Sequence, residues 1–149
     1  YNGYIHIFYL NGTELEDQNF PFDTGNQIWG SATAADMDGD GLTDFVITSK
    51  SKHLYVFDYN GLKLDYETEV YLIGTPAIGN LDGDEGLEIV FSGYSSGNKL
   101  FVINPDGSDM SGFPVLLDEP DFPSRKLYTP SSIGREQLQI IVPVQAGDG

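Results

Sequence analysis

Four aspartates in the nine-residue stretch DMDGDGLTD, residues 36–44, are the residues of this chain best suited to chemistry. Their alternating spacing, with two glycines among them, directs the carboxylates to a common centre. Like charges held this close repel unless a cation stands between them. Carboxylate and carbonyl oxygens are hard ligands, which suit Ca²⁺ better than zinc or copper. The predicted ligands of this first acidic loop are Asp36, Asp38, Asp40, the carbonyl of Leu42, and Asp44.

An EF-hand is the obvious alternative for such a loop. It needs a glutamate at position 12 and a helix on each side. Position 12 is Ile47, and the run FVIT at 45–48 is typical of a β-strand. The sequence therefore predicts a calcium loop that leads into a strand.

Composition limits the partners and the chemistry. The chain has 149 residues, enough for one domain with a hydrophobic core, and it has no apolar run long enough for a membrane-spanning helix. Its net charge of −16 argues against nucleic acid and against anionic membrane surfaces. The absence of cysteine excludes disulfides, thiol catalysis and cysteine–zinc sites. A calcium loop favours an extracellular location, where calcium is abundant.

The acidic loop occurs twice. SATAADMDGDGLTDFVIT, from Ser31, aligns without a gap with TPAIGNLDGDEGLEIVFS, from Thr75. We expect the second acidic loop to bind calcium more weakly, because Asn80 and Glu88 replace aspartates and Glu85 displaces a glycine. A third copy, from Thr129, has GREQ at 134–137 in place of the loop and is expected to bind no metal. The predicted ligands of the second acidic loop are Asn80, Asp82, Asp84, the carbonyl of Gly86, and Glu88.

Alternating apolar strands recur between these copies. Three of them end in Asn-Gly or Asp-Gly, at Gly12, Gly61 and Gly107, which favours tight hairpin turns because both central residues tolerate positive φ. Phe-Pro follows at 20–21 and 113–114, which favours edge strands. Each repeat of roughly 45–55 residues thus predicts a four-stranded antiparallel meander, the size of a propeller blade.

The segments DMDGDGLTDFVI and NLDGDEGLEIVF resemble the FG-GAP/VCBS-type repeats of integrin-α-like β-propellers, and the resemblance covers nearly the whole chain. It implies an all-β fold of propeller blades, with calcium in the loop that joins the first two strands of a blade. Such proteins are mostly extracellular. They serve in adhesion, as lectins, and as accessory or catalytic domains of polysaccharide-degrading enzymes, so the fold alone does not fix the function.

The repeats divide the chain into one propeller segment of about three blades, fewer than the usual 4–8. Two explanations fit this number: the chain is an excerpt of a longer propeller, or two copies form a homodimeric six-bladed ring by completing each other's split blade. The predicted parts are the end of a split blade at 1–30, a blade with the first acidic loop at 31–74, a blade with the second at 75–128, and the start of a split blade at 129–149.

No catalytic site follows from the sequence. His6 and His53 take strand positions of the repeat, and neither a His–Asp arrangement nor a nucleophile motif is indicated by the spacings. Trp29 either packs between blades or joins a carbohydrate-stacking platform with tyrosines. We expect a calcium-stabilised module for binding, adhesion or scaffolding with a glycan or protein ligand; the alternative is part of a secreted polysaccharide lyase or hydrolase. The candidate platform tyrosines are Tyr9, Tyr59, Tyr94 and Tyr128.

Overall fold

A computed structural model describes residues 3–94 and 99–117. Within these ranges the regular structure consists of β-strands without a helix, so the all-β prediction is confirmed. No helix of the described residues is long and apolar enough to cross a membrane. The predictions for Tyr128, for the segment 129–149 and for the loop at 134–137 fall outside the described residues.

The described residues form eleven strands that pair only in antiparallel fashion. The strands are β1 (Tyr4–Ile5), β2 (Phe22–Asp23), β3 (Thr33–Ala35), β4 (Asp44–Thr48), β5 (His53–Asp58), β6 (Gly61–Glu67), β7 (Tyr71–Leu72), β8 (Ala77–Gly79), β9 (Glu88–Tyr94), β10 (Lys99–Ile103) and β11 (Val115–Leu116).

These strands make three sheets. β1 and β2 form a two-stranded sheet, and β3-β4-β5-β6 form a four-stranded sheet in chain order. The third sheet has the order β11-β10-β9-β7, with β8 also paired to β9. Tyr71 of β7 pairs with Tyr94, whereas Ala77 of β8 pairs with Val90, so β7 and β8 follow one another along the same edge of β9.

The four- and five-stranded sheets have the same register: residues that are aligned between the two repeats also have aligned pairing partners. Val46 pairs with Val56 in the four-stranded sheet, and Val90 pairs with Val102 in the five-stranded sheet. Because successive side chains of a strand alternate between faces, equal register sends equivalent side chains to equivalent faces. The first acidic loop (β3 to β4) and the second acidic loop (β8 to β9) therefore start and end at matching points of their sheets.

The Asn-Gly and Asp-Gly turns each have positive φ at one position. Only the glycine has positive φ, at 83° for Gly12, 128° for Gly61 and 84° for Gly107. At Gly107 the Asn104 carbonyl accepts the glycine N–H at 2.9 Å, and the Asn104 N–H reaches the Ser108 carbonyl at 2.9 Å. Gly107 thus follows the turn as the left-handed residue of a bulge, and in none of the three turns do two central residues have positive φ.

The Phe-Pro segments do precede edge strands. Both Phe20–Pro21 and Phe113–Pro114 are cis peptides. β2 begins directly after the first of them and β11 directly after the second, and each lies at the edge of its sheet.

The two inner strands of the four-stranded sheet, β4 and β5, are buried on both faces. Successive side chains of β4 and β5 contribute alternately to two hydrophobic clusters. Because both faces need apolar residues, the sequences of these strands are almost continuously apolar. The larger cluster comprises Met37, Val46, Leu54, Val56, Leu72, Ile89, Phe91, Phe101 and Ile103. The smaller one comprises Ile5, Phe20, Ile47, Tyr55 and Phe57.

The four- and five-stranded sheets also touch through backbone. A Cβ atom on Gly30 would lie 2.7 Å from the carbonyl oxygen of Gly74. The Thr48 hydroxyl donates to that same oxygen at 2.6 Å, and the Ser31 N–H donates to the Thr75 hydroxyl at 2.9 Å. This close approach leaves no room for a side chain at residue 30.

We expect Gly30→Ala to lower the free energy of unfolding by about 1–3 kcal/mol, because the added methyl group meets backbone atoms that cannot rotate away. Gly79→Ala is the matched control, since a Cβ there has no heavy atom within 4 Å. Urea unfolding of both variants measures the difference. Equal midpoints would show that the two sheets do not approach each other at Gly30.

Candidate metal centre

The first acidic loop is shaped by its own carboxylates. Carboxylate oxygens of Asp36, Asp38 and Asp40 lie within 4.8 Å of one another. Asp36 accepts the N–H of Gly39 at 2.9 Å and that of Gly41 at 3.0 Å. Both glycines have positive φ, 76° and 84°, a conformation that a side chain disfavours. These contacts curl the loop so that three carboxylates face one another.

Asp44 ends the loop as the first residue of β4, and its side chain is buried with 1% exposure. One carboxylate oxygen accepts the Met37 N–H at 3.0 Å, and the other accepts the Lys63 ammonium at 2.8 Å. Both oxygens of this buried carboxylate therefore have partners.

Lys63 provides an ammonium group among the predicted ligands. Its Nζ lies 2.8 Å from Asp38 Oδ2, 2.8 Å from Asp44 Oδ1 and 3.4 Å from Asp40 Oδ2. Partial burial lowers the pKa of Lys63, but the hydrogen bonds to Asp38 and Asp44 outweigh it, so the pKa lies above its usual value. The bond from Lys63 is the main cause that lowers the pKa of Asp38. Both groups are therefore charged at neutral pH.

The second acidic loop has a similar framework. The Asn80 side-chain oxygen accepts the Gly83 N–H at 2.6 Å, and its amide group donates to the Asp84 carbonyl. Carboxylate oxygens of Asp82, Asp84 and Glu88 lie within 4.8 Å of one another. The loop thus brings three carboxylates together as the first one does.

Glu88 distinguishes the second acidic loop. It is the first residue of β9, is fully buried, and accepts the Leu81 N–H through Oε2 at 2.5 Å. Its Oε1 is the one buried polar side-chain atom of the described residues that lacks a hydrogen-bond partner. Because an unpartnered buried carboxylate oxygen is costly, this oxygen fits a bound cation. No ion pair within residues 3–94 and 99–117 involves this loop.

The structure brings most of the predicted carboxylate ligands together, and Asp44 joins the first group through Lys63. The N–H of Leu42 donates to Asp40 Oδ1 at 2.8 Å, and that of Gly86 donates to Asp84 Oδ1 at 2.7 Å. Ligation by the carbonyls of these two residues, and by Asn80, stays a prediction.

Each histidine has a carboxylate partner, which the spacings did not indicate. His6 Nδ1 lies 2.5 Å from Glu14 Oε1, and His53 Nδ1 lies 2.5 Å from Asp65 Oδ1. His53 and Asp65 belong to the paired strands β5 and β6, where His53 opposes Glu67, so the contact is a diagonal cross-strand pair. Pairing of strands, rather than a sequence motif, creates these contacts.

A group of aromatic and basic side chains, most of them exposed, lies at the end of the sheets opposite the acidic loops. Lys50 Nζ stands 4.6 Å from the ring centroid of Trp29, and Lys52 Nζ stands 5.7 Å from that of Tyr71. Tyr71 pairs with Tyr94 at the end of β9. All three aromatic side chains are about half exposed, at 54%, 44% and 56% for Trp29, Tyr71 and Tyr94. We call these five residues the aromatic face.

The other expected platform tyrosines lie elsewhere. Tyr59 is in the β5–β6 turn, at the end of the sheet that carries the first acidic loop. Tyr9 is in the turn that Gly12 closes. Trp29 and Tyr94 are therefore the predicted members that the structure places on the aromatic face, and Tyr71 is an addition.

Comparison with known proteins gives no family for the chain. No protein-family model matches it. No curated protein matches it either. The relation to FG-GAP/VCBS-type repeats therefore stays a prediction.

We expect Asp44→Asn to lower the free energy of unfolding in EDTA by about 2–4 kcal/mol, because it removes the buried charge that Lys63 contacts. Asp40→Asn is the matched control. Its carboxylate is 39% exposed and 3.4 Å from the ammonium, so we expect a loss below about 1 kcal/mol. Chemical denaturation of both variants decides. Equal losses would show that burial of Asp44 does not control the stability of this loop.

Proposed function

We propose that this chain is an extracellular, calcium-stabilised β-propeller module that binds a glycan or protein ligand. The observation that carries the proposal is the buried, unpartnered Glu88 Oε1 in a loop where Asp82 and Asp84 converge with Glu88. Oxygen donors of this kind suit calcium, whose flexible shell takes 6–8 of them. The millimolar calcium outside cells suits such a loop.

The sheets support the propeller part of the proposal. The four-stranded sheet runs in chain order, and the five-stranded sheet repeats its register. The inner strands β4 and β5 are covered on both faces, as inner strands are when blades stand side by side around an axis. About three blades do not close a ring. The proposal therefore includes further blades from a longer chain or from a second copy, and the mass from light scattering distinguishes the two.

Calcium would have a structural role in this module. In the second acidic loop it would offset most of the charge of Asp82, Asp84 and Glu88 and satisfy the buried oxygen at the start of β9. In the first acidic loop its ligands would be the four aspartates at 36, 38, 40 and 44. Each bound ion would tie its loop to the two strands that it joins.

We expect EDTA to lower the melting temperature and elemental analysis to find calcium in the untreated protein. Saturation at 100-fold over the dissociation constant contributes about 2.7 kcal/mol of stability, which chelation removes. EDTA saturated beforehand with calcium is the control for effects of the chelator itself. An unchanged melt together with no bound calcium would refute the calcium part of the proposal.

The aromatic face supports the ligand part. Aromatic rings bind sugars by stacking on their apolar faces, and Trp29, Tyr71 and Tyr94 are exposed for such contacts. Lys50 and Lys52 place positive charge beside these rings in a chain whose net charge is −16. This combination favours a glycan with acidic groups among the two classes of ligand.

We expect acidic oligosaccharides on a glycan array to bind, and the fluorescence of Trp29, the sole tryptophan, to follow their titration. Tyr71→Ala should weaken binding about three- to tenfold by removing one stacking ring. Tyr59→Ala is the control, because this exposed tyrosine lies at the opposite end of the sheets. An array without hits, or equal losses in both variants, would remove the glycan from the proposal.

A further inference from the structure

The two acidic loops balance their charge in different ways. In the first, the Lys63 ammonium contacts Asp38, Asp40 and Asp44. In the second, no ammonium group of the described residues makes an ion pair, and Glu88 Oε1 is buried without a partner. Two loops with matching backbone contacts thus differ in whether the chain itself supplies a cation.

The position of Lys63 explains this difference. It lies two residues beyond Gly61, where the pairing of β6 with β5 shifts between Val56 and Phe57. The residue two positions beyond Gly107 is Asp109, an acid. Its carboxylate accepts the Tyr66 hydroxyl at 2.6 Å, so it contacts β6 of the neighbouring sheet. The hairpin that follows the second acidic loop therefore brings it no positive charge.

We infer that Lys63 is the built-in cation of the first acidic loop, and that calcium enters the second acidic loop at a lower free concentration than the first. The second half of this inference rests on the proposed function. This order of calcium affinity is the reverse of the one that the loop sequences predict. A count of ligands does not include the Lys63 ammonium group, which competes with calcium for the same oxygens. Calcium and the ammonium group need the same oxygens of Asp38 and Asp44, so the ion enters only when the lysine side chain leaves.

The consequence is a division of roles between the loops. The first acidic loop keeps one positive charge beside Asp38, Asp40 and Asp44 when calcium is absent, because that charge belongs to the chain itself. The second acidic loop changes with the calcium supply. There is then a range of free calcium concentrations in which calcium binding changes the start of β9 and leaves the start of β4 unchanged.

Calcium titration of the metal-free protein by calorimetry tests the order of binding. We expect Asp82→Asn to remove the tighter site of the protein, and Asp38→Asn to leave that site unchanged. We expect Lys63→Gln to tighten the first acidic loop about tenfold, since calcium no longer has to displace contacts with three carboxylates. Lys99→Gln is the matched control, because Lys99 pairs at 3.5 Å with the highly exposed Glu69. Loss of the tighter site in Asp38→Asn, or an unchanged affinity in Lys63→Gln, would overturn the inference.

Melting in EDTA gives a readout that does not depend on calcium in the native protein. Lys63→Gln should melt lower than Lys99→Gln in EDTA, and calcium should restore it. If the native protein binds no calcium, the proposed function fails; a lower melt of Lys63→Gln that calcium restores would still support the role of Lys63. Equal melts of the two variants in EDTA would show that Lys63 does not stabilise the loop and would overturn that role.

Discussion

Two buried carboxylates impose the main constraint on this structure. Asp44 and Glu88 begin β4 and β9, and both are excluded from water. A buried charge is costly unless it is paired and hydrogen-bonded. Each accepts one backbone N–H of its own loop, from Met37 and Leu81 respectively. The backbone conformation of each loop therefore depends on the carboxylate that begins the next strand. The second oxygen of each carboxylate determines whether the loop still needs a cation.

The sheets fix where these carboxylates lie. Equal register in the two larger sheets puts Asp44 and Glu88 at the same place relative to their strands. Burial of β4 and β5 on both faces leaves little freedom for either strand to slide, because a shift of one residue would exchange the two faces. The hydrophobic clusters thus hold the acidic loops at one end of the sheets and the aromatic face at the other.

Local patterns in the sequence were sufficient for the all-β fold and for the two groups of converging carboxylates. Alternating apolar runs indicate strands, and the spacing of Asp36, Asp38 and Asp40 is contained in one loop. Lys63 could not be found in this way. It reaches the loop from β6, and its position depends on a register shift that no pattern in the sequence predicts.

Two other features also depend on strand pairing and not on a local pattern. The contact of His53 with Asp65 depends on how β5 and β6 pair, and Tyr71 joins the aromatic face only because β7 pairs with the end of β9. The type of turn depends on a different factor. Asn-Gly fits several hairpin geometries, and the neighbouring strands select the one with a single left-handed glycine at Gly12, Gly61 and Gly107.

The separation of charge along the strands has a consequence for diffusional encounters. Lys50, Lys52 and Lys99 lie where the strands begin or end opposite the acidic loops. Glu67 and Glu69 lie at that end as well, but the end with the acidic loops is the more negative, so charge is distributed unevenly along the strands. A polyanion approaching in dilute salt exerts a torque on such a charge distribution and turns the less negative end toward itself before any surfaces meet. Added salt shortens the range of this torque to about 8 Å at physiological strength, so pre-alignment then occurs only in the last step of the approach.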